Sequence, residues 1–252
     1  MGKNKLKKFD EMESFGNVLQ YPYKVLIEQG FELKGEWNVR FFKNRNPIVV
    51  ELGCGKGEYT LALAGKFKDI NFVGIDIKGA RMWSGAKKAL KDNLTNTAFL
   101  RTYIELLEYF FAPGEVSEIW LTFPDPQMDK TNKRLTSSRF LEIYGKILKD
   151  NGTVNLKTDS NFMFKYTRDI AGINGFTVIT ETDNLYGRET IDDILAVKTF
   201  YEQQWLARGL TVKFINFTFC KNETGVYKEP GSEPEKDGYR SFGRDHRDGS
   251  SK

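Results

Sequence analysis

Four carboxylates in this chain fall where an apolar run stops, and each is placed to do chemistry. The first is Glu51, followed by Leu52-Gly53-Cys54-Gly55-Lys56-Gly57. Glycines between a strand and a helix allow left-handed backbone and let a ligand approach peptide N–H groups at a helix N-terminus. The second is Asp76, 19 residues beyond Gly57. A carboxylate at that point can accept hydrogen bonds from both hydroxyls of a ribose. The third is Asp125 in Ile119-Trp120-Leu121-Thr122-Phe123-Pro124-Asp125-Pro126-Gln127, fixed between two prolines that restrict its backbone. The fourth is Asp159, ending Thr153-Val154-Asn155-Leu156-Lys157-Thr158-Asp159.

The glycine spacing is GxGxG, and Glu58 stands where the dinucleotide fingerprint GxGxxG has its last glycine. Glu51 beside that loop would repel a pyrophosphate and suits an amino group instead. An amino group, a ribose and no phosphate describe S-adenosylmethionine better than NAD. The plainer alternative is that Glu51 and Asp76 only cap nearby backbone. Asp125 has its own alternative, a rigid Pro-Asp-Pro turn. Asp159, with Ser160 after it, would serve equally as a helix N-cap. Thr199 and Glu202, three residues apart, have the spacing of a capping box.

Composition narrows the chemistry further. The chain of 252 residues has a single histidine, His246, which excludes a Ser-His-Asp triad, a His-paired cysteine nucleophile and a His-rich metal site, so no metal is expected. Two cysteines, Cys54 and Cys220, make no disulfide framework, and no Pro-Cys pair offers the adduct-forming nucleophile of pyrimidine C5 methylation. No apolar run approaches the roughly 20 residues of a membrane span, and the basic start lacks a signal peptide's apolar stretch. A soluble, cytoplasmic protein is expected. The net charge of +4 is unevenly spread. Lys130, Lys133, Arg134 and Arg139 lie close together after Asp125, a cluster that could hold phosphates.

The elements that must position these residues alternate. Strands are predicted over 47–53, 71–77, 97–103, 116–123, 153–159, 176–182 and 210–219. Helices are predicted over 58–67, 80–91, 105–111, 138–148, from 160 to about 171, and 199–207. This is an α/β pattern: a doubly wound, Rossmann-like, seven-stranded and mostly parallel sheet with an antiparallel edge hairpin. Residues 1–40 form a basic N-terminal extension, 41–221 the α/β domain, and 222–252 a polar tail expected to be disordered.

Taken in order, ELGCGKGEY, GIDIKGARMWSGAKKA, WLTFPDPQ, NKRLTSSRFLEIY, LKTDS and TFYEQQW resemble the bacterial tRNA (guanine-N7)-methyltransferases over about residues 45–220. The resemblance implies an S-adenosylmethionine-dependent enzyme that forms N7-methylguanosine at position 46 of the tRNA variable loop. The rival activities are methylation of another base nitrogen or of a small molecule, and an NAD-dependent oxidoreductase. It implies Asp125 as the catalytic residue and Glu51, Gly53, Gly55, Gly57 and Asp76 as cofactor contacts. The family's acid after the third strand is replaced here by Thr102-Tyr103, which take over that part of the cofactor pocket. Lys130, Asp159 and the segment Thr199-Phe200-Tyr201-Glu202 are implied as the tRNA site. Oligomeric state is left open between monomer and homodimer.

Overall fold

The computed structural model describes residues 2–239, so the expected disorder of 240–252 and the single histidine fall outside the described residues. Among the described residues, eight strands form one sheet in the order β1-β4-β3-β2-β5-β6-β8-β7. The central strands are β2 (Ile48–Leu52), β3 (Asn71–Ile75), β4 (Thr97–Arg101), β5 (Val116–Thr122) and β6 (Leu148–Thr158), all parallel. Strand β8 (Lys213–Thr218) runs antiparallel between β6 and β7 (Thr177–Thr182), and β7 forms that edge of the sheet. The helices between are α3 (Glu58–Lys66), α4 (Gly79–Lys91), α5 (Leu107–Phe110), α6 (Ser138–Ile147), α7 (Asn161–Ile173) and α8 (Phe200–Ala207).

Every residue of β2 and β3 is buried, as both-face coverage of parallel strands demands. Alternate residues serve opposite faces. Val50, Leu52, Ile119, Leu121, Val154 and Leu156 pack with α5, α6 and α7. Val49, Phe72, Trp120 and Phe214 pack on the other side with α3 and the segment 185–195. The chain order reverses between β2 and β5, where β3 and β4 run off one way and β6 the other. In such sheets this switch point, at the carboxyl ends of the strands, is where ligands bind.

Two segments differ from the sequence expectation. The N-terminal extension is built into the fold and supplies the eighth strand. Helix α1 (Gly2–Glu13) lies on α4, where Glu11 accepts the indole N–H of Trp83 at 2.9 Å and Lys8 and Lys87 sit over that ring. Strand β1 (Val18–Gln20) then pairs parallel with β4. After α2 (Tyr23–Gln29), a π-helical turn (Trp37–Phe42) puts Trp37 at the centre of an aromatic cluster with Phe31, Phe42 and Phe111. A strand of three residues has no period to read, and for that reason the seven-strand expectation undercounts the sheet.

The second difference lies beyond residue 222. Gly, Pro and charge there suggest little to bury, yet residues 227–239 run as a strap across α6 and α7. Tyr227 is buried against Phe176 and Phe219. Glu229 accepts the backbone N–H of Ser138 at 2.8 Å and the hydroxyl of Tyr166 at 2.5 Å. Asp237 accepts from Ser160 and, at 3.2 Å, from the N–H of Phe162, so it caps the start of α7. The strap is held by charged side chains on helix ends, which hydropathy does not register. Tyr227→Ala should cost about 3 kcal/mol, the range for truncating a buried aromatic. Denaturant unfolding of the full chain measures it, and a change below about 1 kcal/mol would mean the strap barely contributes.

Candidate active site

The glycine loop leaves β2 with three left-handed residues, Gly53, Gly55 and Gly57, at φ 76°, 57° and 68°. Gly57 also needs its missing side chain, because a Cβ there would stand 2.6 Å from the Phe99 ring. Gly85 of α4 plays the same part from the other side, since a Cβ on it would collide with the Lys56 carbonyl. Loop and helix therefore touch backbone to backbone. The N–H of Gly55 donates to Asp76 Oδ2 at 2.9 Å, and that of Lys78 to Oδ1 at 2.7 Å. Asp76 thus pins the loop to the end of β3.

Glu51 is 6% exposed and joins three elements. Its Oε2 accepts the backbone N–H of Thr60 at 2.9 Å and the Thr60 hydroxyl at 2.5 Å, on the first turn of α3. Its Oε1 accepts the Thr122 hydroxyl of β5 at 2.5 Å. Burial pushes the carboxyl above the usual glutamate range, and the bonds from Thr122 and Thr60 oppose that rise. Among the described residues no lysine or arginine forms an ion pair with this carboxylate, although Lys56 and Arg81 line the same cavity, so it can accept from a cationic group.

A cavity of about 130 Å³ opens over Glu51, lined by Gly53, Gly55, Thr122, Phe123, Thr199 and Tyr201 among others. A second hollow, about 600 Å³, is lined by Ile77, Thr102, Tyr103 and Arg101, with Met12 and Tyr21 from the N-terminal segment opposite. Asp76 stands between them, bonded to Gly55 of the first and preceding Ile77 of the second. An elongated ligand with an amino group at one end, a ribose in the middle and a flat ring at the other fits this succession. Thr102 is buried and Tyr103 is 59% exposed.

Asp125 is exposed on the lip, two residues past Phe123, while Pro124 and Pro126 are buried. Phe123 and Gln127 bracket it with left-handed φ values of 50° and 46°, and the N–H of Gln127 donates to Asp125 Oδ1 at 3.1 Å. The loop after it is fastened by Arg134, whose side chain is fully buried. That guanidinium donates to the carbonyls of Gln127 and Met128 at 3.1 and 2.8 Å and lies over the rings of Phe162 and Tyr166. Its Nη1 is 2.8 Å from Glu233 of the strap, an ion pair outside hydrogen-bond geometry.

The basic cluster therefore does not face phosphate as a unit. Arg134 is scaffold, and Lys133 and Arg139 approach Glu105 at 3.8 and 3.9 Å. Lys130 is exposed on the same loop. The implied tRNA-site residues divide likewise. Phe200 and Tyr201 are 50% and 47% exposed, and Thr199 lines the cavity. Asp159 and Glu202, both expected at the tRNA site, are fully buried. Asp159 Oδ2 accepts the Tyr239 hydroxyl at 2.6 Å, and its carbonyl accepts Lys213. Glu202 completes the capping box with Thr199 and pairs with Lys157 at 2.8 Å. Sequence reasoning missed Lys157, Thr60 and Thr122, whose types carry no chemistry until the fold sets them beside a buried acid. Among the described residues, no group of acids, cysteines or histidines is placed to hold a metal.

A doubly wound sheet with a glycine loop at its switch point, an acid under that loop and a second acid ending the next strand defines a Rossmann-like methyltransferase. Solved structures agree on the fold. The chain matches the 16S rRNA methyltransferase KamB with a TM-score of 0.58 at 14% identity, over 77% of this chain and 97% of that one. It matches an antibiotic-related methyltransferase with a TM-score of 0.55 at 18% identity, over 75% and 96%. Residues 45–215 fit a family model described as a putative methyltransferase. The tRNA (guanine-N(7)-)-methyltransferase of Bacteroides fragilis is 55% identical over 99% of this chain and 98% of its own length. That of Porphyromonas gingivalis is 54% identical over 94% and 98%, and that of Clostridioides difficile 32% over 77% and 90%. The chain belongs to this tRNA (guanine-N(7)-)-methyltransferase family.

One prediction isolates the electrostatics of Glu51. Thr122→Val removes a donor that favours the ionised carboxylate, so the Glu51 pKa should rise further. A carbon-13 titration of the side-chain carboxyls reads it, and an unmoved midpoint would show that the Thr122 hydroxyl does not support the charge.

Proposed function

We propose that this protein transfers a methyl group from S-adenosylmethionine to N7 of guanine in tRNA, at position 46 of the variable loop, in the cytoplasm. The observation that carries this is the near full-length match to enzymes named for that reaction, combined with an exposed, rigidly held carboxylate on the lip of the cavity. The cofactor supplies an electrophilic methyl on a sulfonium. Glu51 accepts hydrogen bonds from its amino group, whose positive charge complements the buried carboxylate. Asp76 takes the ribose hydroxyls, and Ile77 with Thr102-Tyr103 borders the adenine.

Guanine N7 carries a lone pair and no proton, so no residue has to act as a base to create the nucleophile. The chain's work is alignment and exclusion of water, which together can remove roughly 7–11 kcal/mol in good intramolecular models. Asp125 is pre-set for this by Pro124, Pro126 and the Gln127 N–H. Its remaining oxygen can accept from the guanine N1–H and amino group, and its charge favours the cationic ring that forms. Lys130, Phe200 and Tyr201 are the exposed groups that meet RNA, with half-buried Thr199 beside them. Asp159 and Glu202 act from behind them. The guanine has to leave its stack in the folded tRNA to reach the lip. No helix among the described residues is long and apolar enough to cross a membrane.

The test is a nucleoside assay. Unmodified tRNA is incubated with methyl-labelled cofactor and digested, and the label should run as N7-methylguanosine. Label in another nucleoside, or none, would overturn the target. Asp125→Ala should keep S-adenosylhomocysteine binding and lose about a hundredfold or more in turnover, the loss typical of removing one preorganised electrostatic group. Near wild-type turnover would reduce Asp125 to a turn residue.

A further inference from the structure

Both lips of the cavity trace back to one residue, Lys157. It lies on β6, in register with Thr122 of β5 on one side and Phe214 of β8 on the other. Its backbone carbonyl accepts the N–H of Phe123 at 2.8 Å, which fixes the left-handed residue from which the Pro124-Asp125 turn departs. Its side chain reaches the opposite lip. The ammonium is fully buried and donates to the carbonyls of Leu195 and Val197, each at 2.8 Å. It pairs with Glu202 Oε1 at 2.8 Å and approaches the Tyr186 hydroxyl at 3.2 Å. Glu202 in turn receives the Tyr186 hydroxyl and the backbone N–H of Thr199, the residue that starts α8 and lines the cavity.

We propose that Lys157 is a positioning residue: its carbonyl holds the Phe123–Asp125 lip, its ammonium holds the Thr199–Tyr201 lip, and together they set the width of the seat for the base being methylated. This rests on the reading of the cavity as a methyl-transfer site. The chemistry favours positioning over simple cohesion. A buried ion pair costs desolvation, and an apolar pair of similar volume usually holds a core as well or better. What an apolar pair lacks is direction. The ammonium has three donors, and two of them meet carbonyls on a segment with no regular structure of its own. Burial pushes the Lys157 pKa down while Glu202 opposes the fall.

Lys157→Met alone would leave the Glu202 carboxylate buried and unpaired, so the informative variant is Lys157→Met with Glu202→Gln. Glutamine can still complete the capping box with Thr199. Turnover at saturating tRNA and cofactor should fall about a hundredfold, the scale of a displacement of about 1 Å at a reacting centre. The thermal midpoint and the affinity for S-adenosylhomocysteine should stay close to wild type. Hydrogen exchange across 194–205 should quicken, a readout that needs no substrate. Turnover near wild type would overturn the proposal. So would parallel losses of turnover and homocysteine-adduct binding, or failure of both single and double variants to fold, since each marks a general structural role. Turnover is compared with the wild-type chain on whichever nucleoside that chain labels. If that nucleoside is not N7-methylguanosine, the target assignment fails and the positioning test still stands.

Discussion

A carboxylate buried where the two halves of the sheet part is the constraint around which the site is built. Glu51, next to last in β2, draws in the first turn of α3 through Thr60 and reaches β5 through Thr122. Burying an ionisable group without a cation is costly unless its oxygens are bonded. Here three protein donors meet it, and burial still lifts its pKa. The arrangement keeps the helix N-terminus, with its own positive field, against the strand end. It fixes the distance from the glycine loop to the start of the Pro-Asp-Pro turn. The acid is at once a brace for the fold and the buried carboxylate in the cavity wall.

Much of this was legible in the sequence because it obeys local rules. Strands buried on both faces read as apolar runs, and the observed β2 to β5 fall within a residue or two of their expected bounds. The glycine loop was legible because its residues have to be glycine for steric reasons, and Asp125 because two prolines flag it. The capping box at Thr199 and Glu202 is present as its spacing suggested. Ser160, rather than Asp159, caps α7.

What stayed hidden is non-local. Strand β1 is too short to show a period and is a strand only because β4 offers an edge. The strap is polar in composition and is held by acids that meet helix N-termini across 75 to 91 positions in sequence, and by Arg134. Asp159 and Glu202 were legible as important acids, but their burial was not, because it depends on Tyr239 and Lys157 arriving from elsewhere. Lysines after Asp125 read as one basic patch, and only folding shows that Arg134 has turned inward.

The strap also bears on when the protein becomes competent. Chains emerge from the ribosome N-terminus first. The sheet through β8 can assemble before the strap is available, yet the loop that follows Asp125 gains Glu233 and Lys236 only from that later segment. The start of α7 likewise waits for Asp237. A nascent chain still threaded through the exit tunnel therefore carries a folded sheet with an unfinished lip. Synthesis order thus places completion of the lip after completion of the sheet.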